Sequence, residues 1–286
     1  MLTQGVHKIS AEEYHKDPCV EPSLTRSIIK ALVGKTPYHA FWEHPRLNPD
    51  YEGEDDSAKF DIGTAAHSIF LEGRNVVTVI DAEDWRKKEA KEARDAARAE
   101  GKIPLLKSQA DDVLKMVMVA EDSLFRWEGR ATVIGDGESE LTYIWKESNG
   151  VWCRTRPDWI SKDRKLCIDY KTTGALANPH TYGRIAIDTG LDIQEAFYTR
   201  GIAAIDAVCP EFVFMVQETS APYLCAFFCL DAMTRDMGAA KVHHGIKLFG
   251  QYLKSGKWPD YGNQTYTLEA PPWSLAAWEI KKGEAA

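Results

Sequence analysis

The stretch RTRPDWISKDRKLCIDYKTT, residues 154–173, constrains this chain more than any other. It reads as two strands joined by a turn, with Asp158 near the end of the first and Asp169 and Lys171 on the second. With residues 162–165 as a four-residue turn, an antiparallel register sets Asp158 across from Asp169, and two-residue alternation puts Lys171 on the same face. The opposite face carries Cys153, Pro157, Trp159, Leu166, Ile168 and Tyr170 and suits burial. Two carboxylates facing each other repel unless a cation lies between them, and a hard divalent ion such as Mg²⁺ takes oxygen ligands of this kind. A neighbouring ammonium can stabilise charge developing on a phosphate or orient an attacking water. A surface hairpin with ordinary charges fits the same residues, so both readings stand on this pattern alone.

The preceding strand, 140–146, alternates Leu141, Tyr143 and Trp145 with Glu140, Thr142 and Ile144, and Ser148-Asn149-Gly150 turns the chain back. A two-residue Asn149-Gly150 turn would set Leu141 across from Asp158, whereas a three-residue turn with Gly150 left-handed sets Glu140 there. Only the second keeps Tyr143 and Trp145 on the apolar face with Cys153 and Trp159, so hydrophobic alternation selects it. Glu140, Asp158, Asp169 and Lys171 are then expected to line up across three neighbouring strands.

Around this centre the sequence alternates helices and strands. Ser23 is the expected N-cap of a short helix that carries Arg26, Ser27 and Lys30 and stops at Gly34, and a second helix is expected over 38–44. Residues 45–61 read as a loop. GTAAHSIFLEG, 63–73, has the small residues and apolar spacing of a closely packed helix; its His67, on spacing alone, is ordinarily a hydrogen-bonded core residue. A strand is expected over 76–80, a charged helix over 84–101 and a sheet-packed helix over 107–127. Gln194 and Tyr198, four apart on a helix expected over 191–207, face the same way. Strands over 211–217 and 223–230 and a long helix over 231–254 follow, and the tail carries Trp258, Trp273 and Trp278.

The net charge of −8 over 286 residues argues against a protein that coats nucleic acid by bulk electrostatics. It does not exclude a nuclease, whose metal-binding carboxylates themselves add negative charge. The six cysteines are scattered, mostly in strand-like runs, and are expected as reduced, buried thiols. No apolar run has the length of a membrane span or the form of a signal peptide, so a cytoplasmic protein with no membrane partner is the expectation.

Pro157-Asp158 followed by Asp169-Tyr170-Lys171 matches the PD-(D/E)XK nuclease motif literally. With GTAAHSIFLEG and Glu140 before it, and Gln194 and Tyr198 in LDIQEAFY after it, the order resembles the RecB-type nuclease superfamily. It is most similar to the RecE or exonuclease VIII family of prophage exonucleases, with lambda exonuclease as a more distant relative. The resemblance runs from about Ser23 to the carboxyl end.

That resemblance implies an α/β fold with a restriction-endonuclease-like core, a mixed central sheet flanked by helices. The whole of 1–286 would form one nuclease domain, with a helical amino-terminal part (about 1–60), a charged helical segment (about 82–104) and a tail (about 257–286). Asp158, Asp169, the Tyr170 backbone carbonyl, His67 and Glu140 would hold one or two Mg²⁺ ions, for which Mn²⁺ can substitute. Lys171 would be the catalytic lysine, acting with Asp158, Asp169, Glu140 and His67. Gln194 and Tyr198 would contact DNA or support the site, and Arg26, Ser27 and Lys30 match a 5′-phosphate pocket in position. The implied activity degrades one strand of linear duplex DNA from 5′ to 3′, leaving a 3′ overhang for a single-strand-annealing recombinase of the RecT type. A homo-oligomeric ring and a phage or prophage origin in a bacterial host follow from the same likeness. Two alternatives remain open: a relative with an iron-sulfur cluster, for which Cys209, Cys225 and Cys229 are the available ligands, or an endonuclease of the same type; and a catalytically silent DNA-binding module on the same fold.

Overall fold

In the computed structural model, residues 1–51, 53, 61–73, 76–127 and 134–284 are described. The chain begins with Gly5–His7 (β1), Ala11–His15 (α1), Ser23–Leu24 (β2), Arg26–Gly34 (α2) and Pro37–Trp42 (α3). It continues with Asp61–Glu72 (α4), Val77–Ile80 (β3), Lys88–Ala99 (α5), Ile103–Leu106 (β4) and Lys107–Arg126 (α6). Then come Gly137–Ser139 (β5), Thr142–Lys146 (β6), Trp152–Thr155 (β7), Trp159–Ser161 (β8) and Leu166–Thr173 (β9). Pro179–Thr189 (α7), Leu191–Asp206 (α8), Glu211–Glu218 (β10), Cys225–Phe228 (β11), Ala232–Ser255 (α9) and Pro272–Glu284 (α10) complete it. Of the loop expected over 45–61, residues 52 and 54–60 lie outside the described residues.

The central sheet is mixed and five-stranded, in the order β11-β10-β9-β8-β5. β9 and β10 run parallel, joined by α7 and α8, while β8–β9, β5–β8 and β10–β11 are antiparallel. Alternation along β9 divides its neighbours. Ile168 and Tyr170 join Phe70 and Ala65 of α4 and Met116 and Ala120 of α6 in one core, and Cys167 joins Phe212, Phe214, Leu191 and Ile202 on the other side. Asp169 shares the parity of Cys167, so it points toward α8.

A four-stranded sheet, β1-β6-β7-β2, packs Trp145 and Cys153 against Ile28, Ile29, Phe197, Val242 and Phe249 of α2, α8 and α9. Helix α8 thus serves both sheets, which explains why nearly all of its first turn and a half is buried. β3 and β4 form a separate parallel pair.

The expectation of one continuous strand through Asp158 is corrected. β7 and β8 lie in different sheets, and Arg156 and Pro157 between them leave the ladder. The apolar residues that alternation put on one face are divided accordingly: Trp145 and Cys153 in one core, Tyr143 in a second, Trp159 in a third. The helix cap is also moved. Thr25, not Ser23, accepts from Ile28 N–H, because Ser23 is taken into β2 and its hydroxyl donates to Asp17 Oδ1 at 2.7 Å. All six thiols are free, but Cys209 and Cys229 are exposed and only Cys19, Cys153 and Cys167 are fully buried. Trp258 packs on Phe41, Phe249 and Tyr252, whereas Trp273 and Trp278 are exposed. No helix among the described residues is long and apolar enough to cross a membrane.

Candidate active site

Local register builds the site. β6 pairs with β7 through Tyr143↔Thr155 and Lys146↔Trp152, closed by a three-residue turn in which Gly150 has φ +92°. The same register continues through β5 and β8, Ser139↔Trp159, so Glu140 falls opposite Asp158 and donates its backbone N–H to Asp158 O at 3.1 Å. Across the next ladder, Trp159↔Ile168 places Asp158 opposite Asp169. Glu140 itself belongs to neither strand: it turns the chain from one sheet to the other with φ +61°.

The side chains converge. Asp158 Oδ2 accepts the Tyr170 N–H at 2.8 Å and lies 3.2 Å from His67 Nε2, which is 3.8 Å from Glu140 Oε1. Lys171 is ion-paired with Asp169 Oδ1, and the Gln194 amide of α8 donates to Asp169 Oδ2. Arg156, which the sequence reading did not single out, contacts Glu140 Oε2 through Nη1 at 2.7 Å. A signal was available: two-residue alternation sets position 156 on the face of Asp158. Helix α4 can come this close because Gly63 faces Thr172; a Cβ at Gly63 would lie 2.6 Å from Thr172 Oγ1. A cleft of about 400 Å³, lined by Gly63, Thr64, His67, Lys171, Thr172 and Thr219, opens onto the group.

The remaining predicted residues are placed less centrally. Tyr198 is half-buried, one turn beyond Gln194, edge-on to Phe212 at 6.2 Å. Arg26 is half-buried, and its charge favours ionised Asp169. Ser27 opens into a different cleft, with Lys35 and Trp42, and the aliphatic stem of Lys30 lies along Gly190. Neither Ser27 nor Lys30 touches the cluster.

Electrostatics divide the two facing aspartates. Asp169 is fully buried; burial and the Asp158 charge push its carboxyl up to about 6, against Lys171. Burial acts the same way on Asp158, but Lys171 and His67 outweigh it and hold that carboxyl down at about 2. Burial alone would lower His67; the Asp158 charge reverses this and raises it to about 9. A proton on His67 and the Lys171 ammonium therefore offset a concentration of negative charge that a divalent cation would also offset. The donor set fits such an ion: His67, Glu140 and Asp158 offer atoms within 4.8 Å of one another, and carboxylate oxygens with an imidazole suit Mg²⁺ or Mn²⁺. No cysteine belongs to that group, the one such group among the described residues.

A family model described as a PDDEXK-like domain of unknown function (DUF3799) matches residues 27–270. The chain belongs to that PDDEXK-like family. Among solved structures, this PDDEXK-like chain is similar to one from Eubacterium rectale described as a candidate exonuclease. The TM-score is 0.60 at 12% identity, covering 95% of this chain and 99% of that one, a likeness of fold. A structure of the protein SSO0001 aligns at 13% identity over 69% of this chain and 88% of its own, with a TM-score of 0.26, too low to carry weight. No curated protein matches the sequence. The α/β architecture with a mixed sheet flanked by helices is that of the PDDEXK-like nuclease fold.

Proposed function

We propose that this protein is a metal-dependent exodeoxyribonuclease that hydrolyses one strand of linear duplex DNA from its end. The convergence of Glu140, Asp158, Asp169 and Lys171 beside a cleft lined by His67 and Lys171 carries this reading. The candidate exonuclease of like fold and the resemblance to RecE-type enzymes support action at ends, with 5′ to 3′ polarity and a 3′ overhang passed to an annealing recombinase of the RecT type.

Asp158, Glu140 and His67, with Asp169 and the Tyr170 carbonyl beside them, would hold Mg²⁺ or Mn²⁺. Bound there, the ion would supply Lewis acidity toward the phosphodiester and lower the pKa of the attacking water. The chain's own contribution is placement. Lys171, fixed by Asp169, presents an ammonium to charge developing on the phosphoryl oxygens. Gln194 holds the other Asp169 oxygen, so the carboxylate cannot rotate away from β9. Water forms the new bond to phosphorus, the P–O3′ bond breaks, and O3′ leaves with a proton.

Incubation of linear duplex labelled at its 5′ or 3′ end with enzyme and Mg²⁺, beside a closed circular duplex, tests the proposal. Early release of the 5′ label with the circle intact is expected. Cleavage of the circle would establish an endonuclease instead.

A further inference from the structure

Arg156 is only 12% exposed at its side chain and lies against Glu140, whose side chain is 9% exposed. It grips Glu140 at two points: Nη1 is 2.7 Å from Oε2, and Nε donates to the Glu140 backbone carbonyl at 3.4 Å. The residue gripped is the one with a left-handed backbone, φ +61°, at the crossing between the two sheets. A non-glycine residue in that region persists only where its surroundings over-determine it. The Asp158 carbonyl, accepting from Glu140 N–H at 3.1 Å, fixes one side of the turn, and Arg156 fixes the other.

We propose that Arg156 is a positioning residue for the metal corner: by occupying Oε2 and the carbonyl of Glu140, it turns Oε1 toward His67 and Asp158. Oε1 is the oxygen 3.8 Å from His67 Nε2. Formal charge points the same way. Glu140, Asp158 and Asp169 stand against Lys171 and Arg156, so once His67 gives up its proton, as a metal-ligating imidazole must, the corner keeps one net negative charge. One divalent ion turns this into a single positive charge, matched to one phosphodiester. Lysine would keep the charge but not the planar fork that reaches two acceptors at once.

This inference rests on the proposed metal-dependent activity, and a measurement without DNA separates the two. Mn²⁺ binding to the full-length protein is followed by titration calorimetry, with folding checked by circular dichroism, for wild type, Arg156→Gln, Arg156→Lys, Glu140→Gln and the double variant Glu140→Gln/Arg156→Gln. Partners that orient a metal ligand typically contribute 10–100-fold to affinity, so Arg156→Gln should weaken Mn²⁺ about 10-fold or more. Arg156→Lys should recover little of that loss, and Arg156→Gln should change affinity less than about 2-fold once Glu140 is already Gln. Equal losses in both backgrounds, no loss, or full recovery by lysine would overturn the positioning role. If Arg156→Gln does not fold, the same cycle run with Arg156→Lys decides. Failure of the wild type to bind Mn²⁺ would instead strike the nuclease reading beneath it.

Discussion

Gln194 on α8 donates its side-chain amide to Oδ2 of Asp169 on β9, joining the helix shared by both sheets to the fully buried carboxylate of the site. Replacing Gln194 by Ala removes the donor and leaves a buried acceptor unpaired, at about 1–3 kcal/mol. We expect Gln194→Ala to fold and to lose about 10–100-fold in kcat on linear duplex DNA. Gln194→Glu, which adds a carboxylate beside Asp169, should lose more. Steady-state kinetics of the two variants, with thermal melts as controls, measure this.

Among the described residues Lys171 is the one ammonium paired with Asp169, and it lines the cleft. Lys171→Met keeps the aliphatic bulk but removes the charge. Loss of a positioned electrostatic or proton-transferring group costs about 10²–10⁴-fold in rate. The expected result is a fall of that size in kcat with a much smaller change in KM. A rise in KM alone would make Lys171 a DNA-binding residue.

Gly201 on α8 packs against the Trp145 ring so closely that a Cβ would lie 2.6 Å from it. Trp145 is itself pinned by Phe197 at 4.9 Å between ring centroids, so it cannot retreat freely. Gly201→Ala should therefore destabilise by about 1–3 kcal/mol through overpacking, read as a lower midpoint in urea, with kcat of the folded fraction unchanged.

The pairings that set Glu140 opposite Asp158 and Asp158 opposite Asp169 were legible, because two-residue alternation and a three-residue turn are local properties of 140–173. The break at Arg156 and Pro157 was not. Passing a strand from one sheet to another depends on what Trp145 and Trp159 each find to pack against, which is α2, α8 and α9 for the first and α4 and α6 for the second. Those partners are distant in sequence. The same holds for β2, which pairs with β7 and removes Ser23 from the helix it was expected to cap. Arg156 was overlooked because its role exists only once Glu140 leaves the ladder.

His44 predicts a pH dependence of stability away from the site. It is fully buried, Nε2 donates to Ser23 O at 3.0 Å and Nδ1 accepts the Arg46 N–H at 3.1 Å, so the neutral ring is already satisfied. Burial, opposed by Asp17 and helped by Arg154, lowers it from 6.5 to about 4. The unfolded chain takes up this proton first as pH falls. The contribution is thus complete above about pH 6.5 and is lost between there and pH 4, on the order of 3 kcal/mol in all. Urea unfolding at pH 7 and pH 5 should cost wild type about 2 kcal/mol more than His44→Gln. Equal losses would contradict a neutral buried His44.

Hydrolysis by the acidic corner is tested most directly by nucleotide release from a linear DNA duplex, by wild type and Asp158→Ala, each with Mg²⁺ and again with excess chelator. Release by wild type in Mg²⁺, and in none of the other three reactions, is the predicted result. Undiminished release by folded Asp158→Ala, or by wild type in chelator, would contradict it.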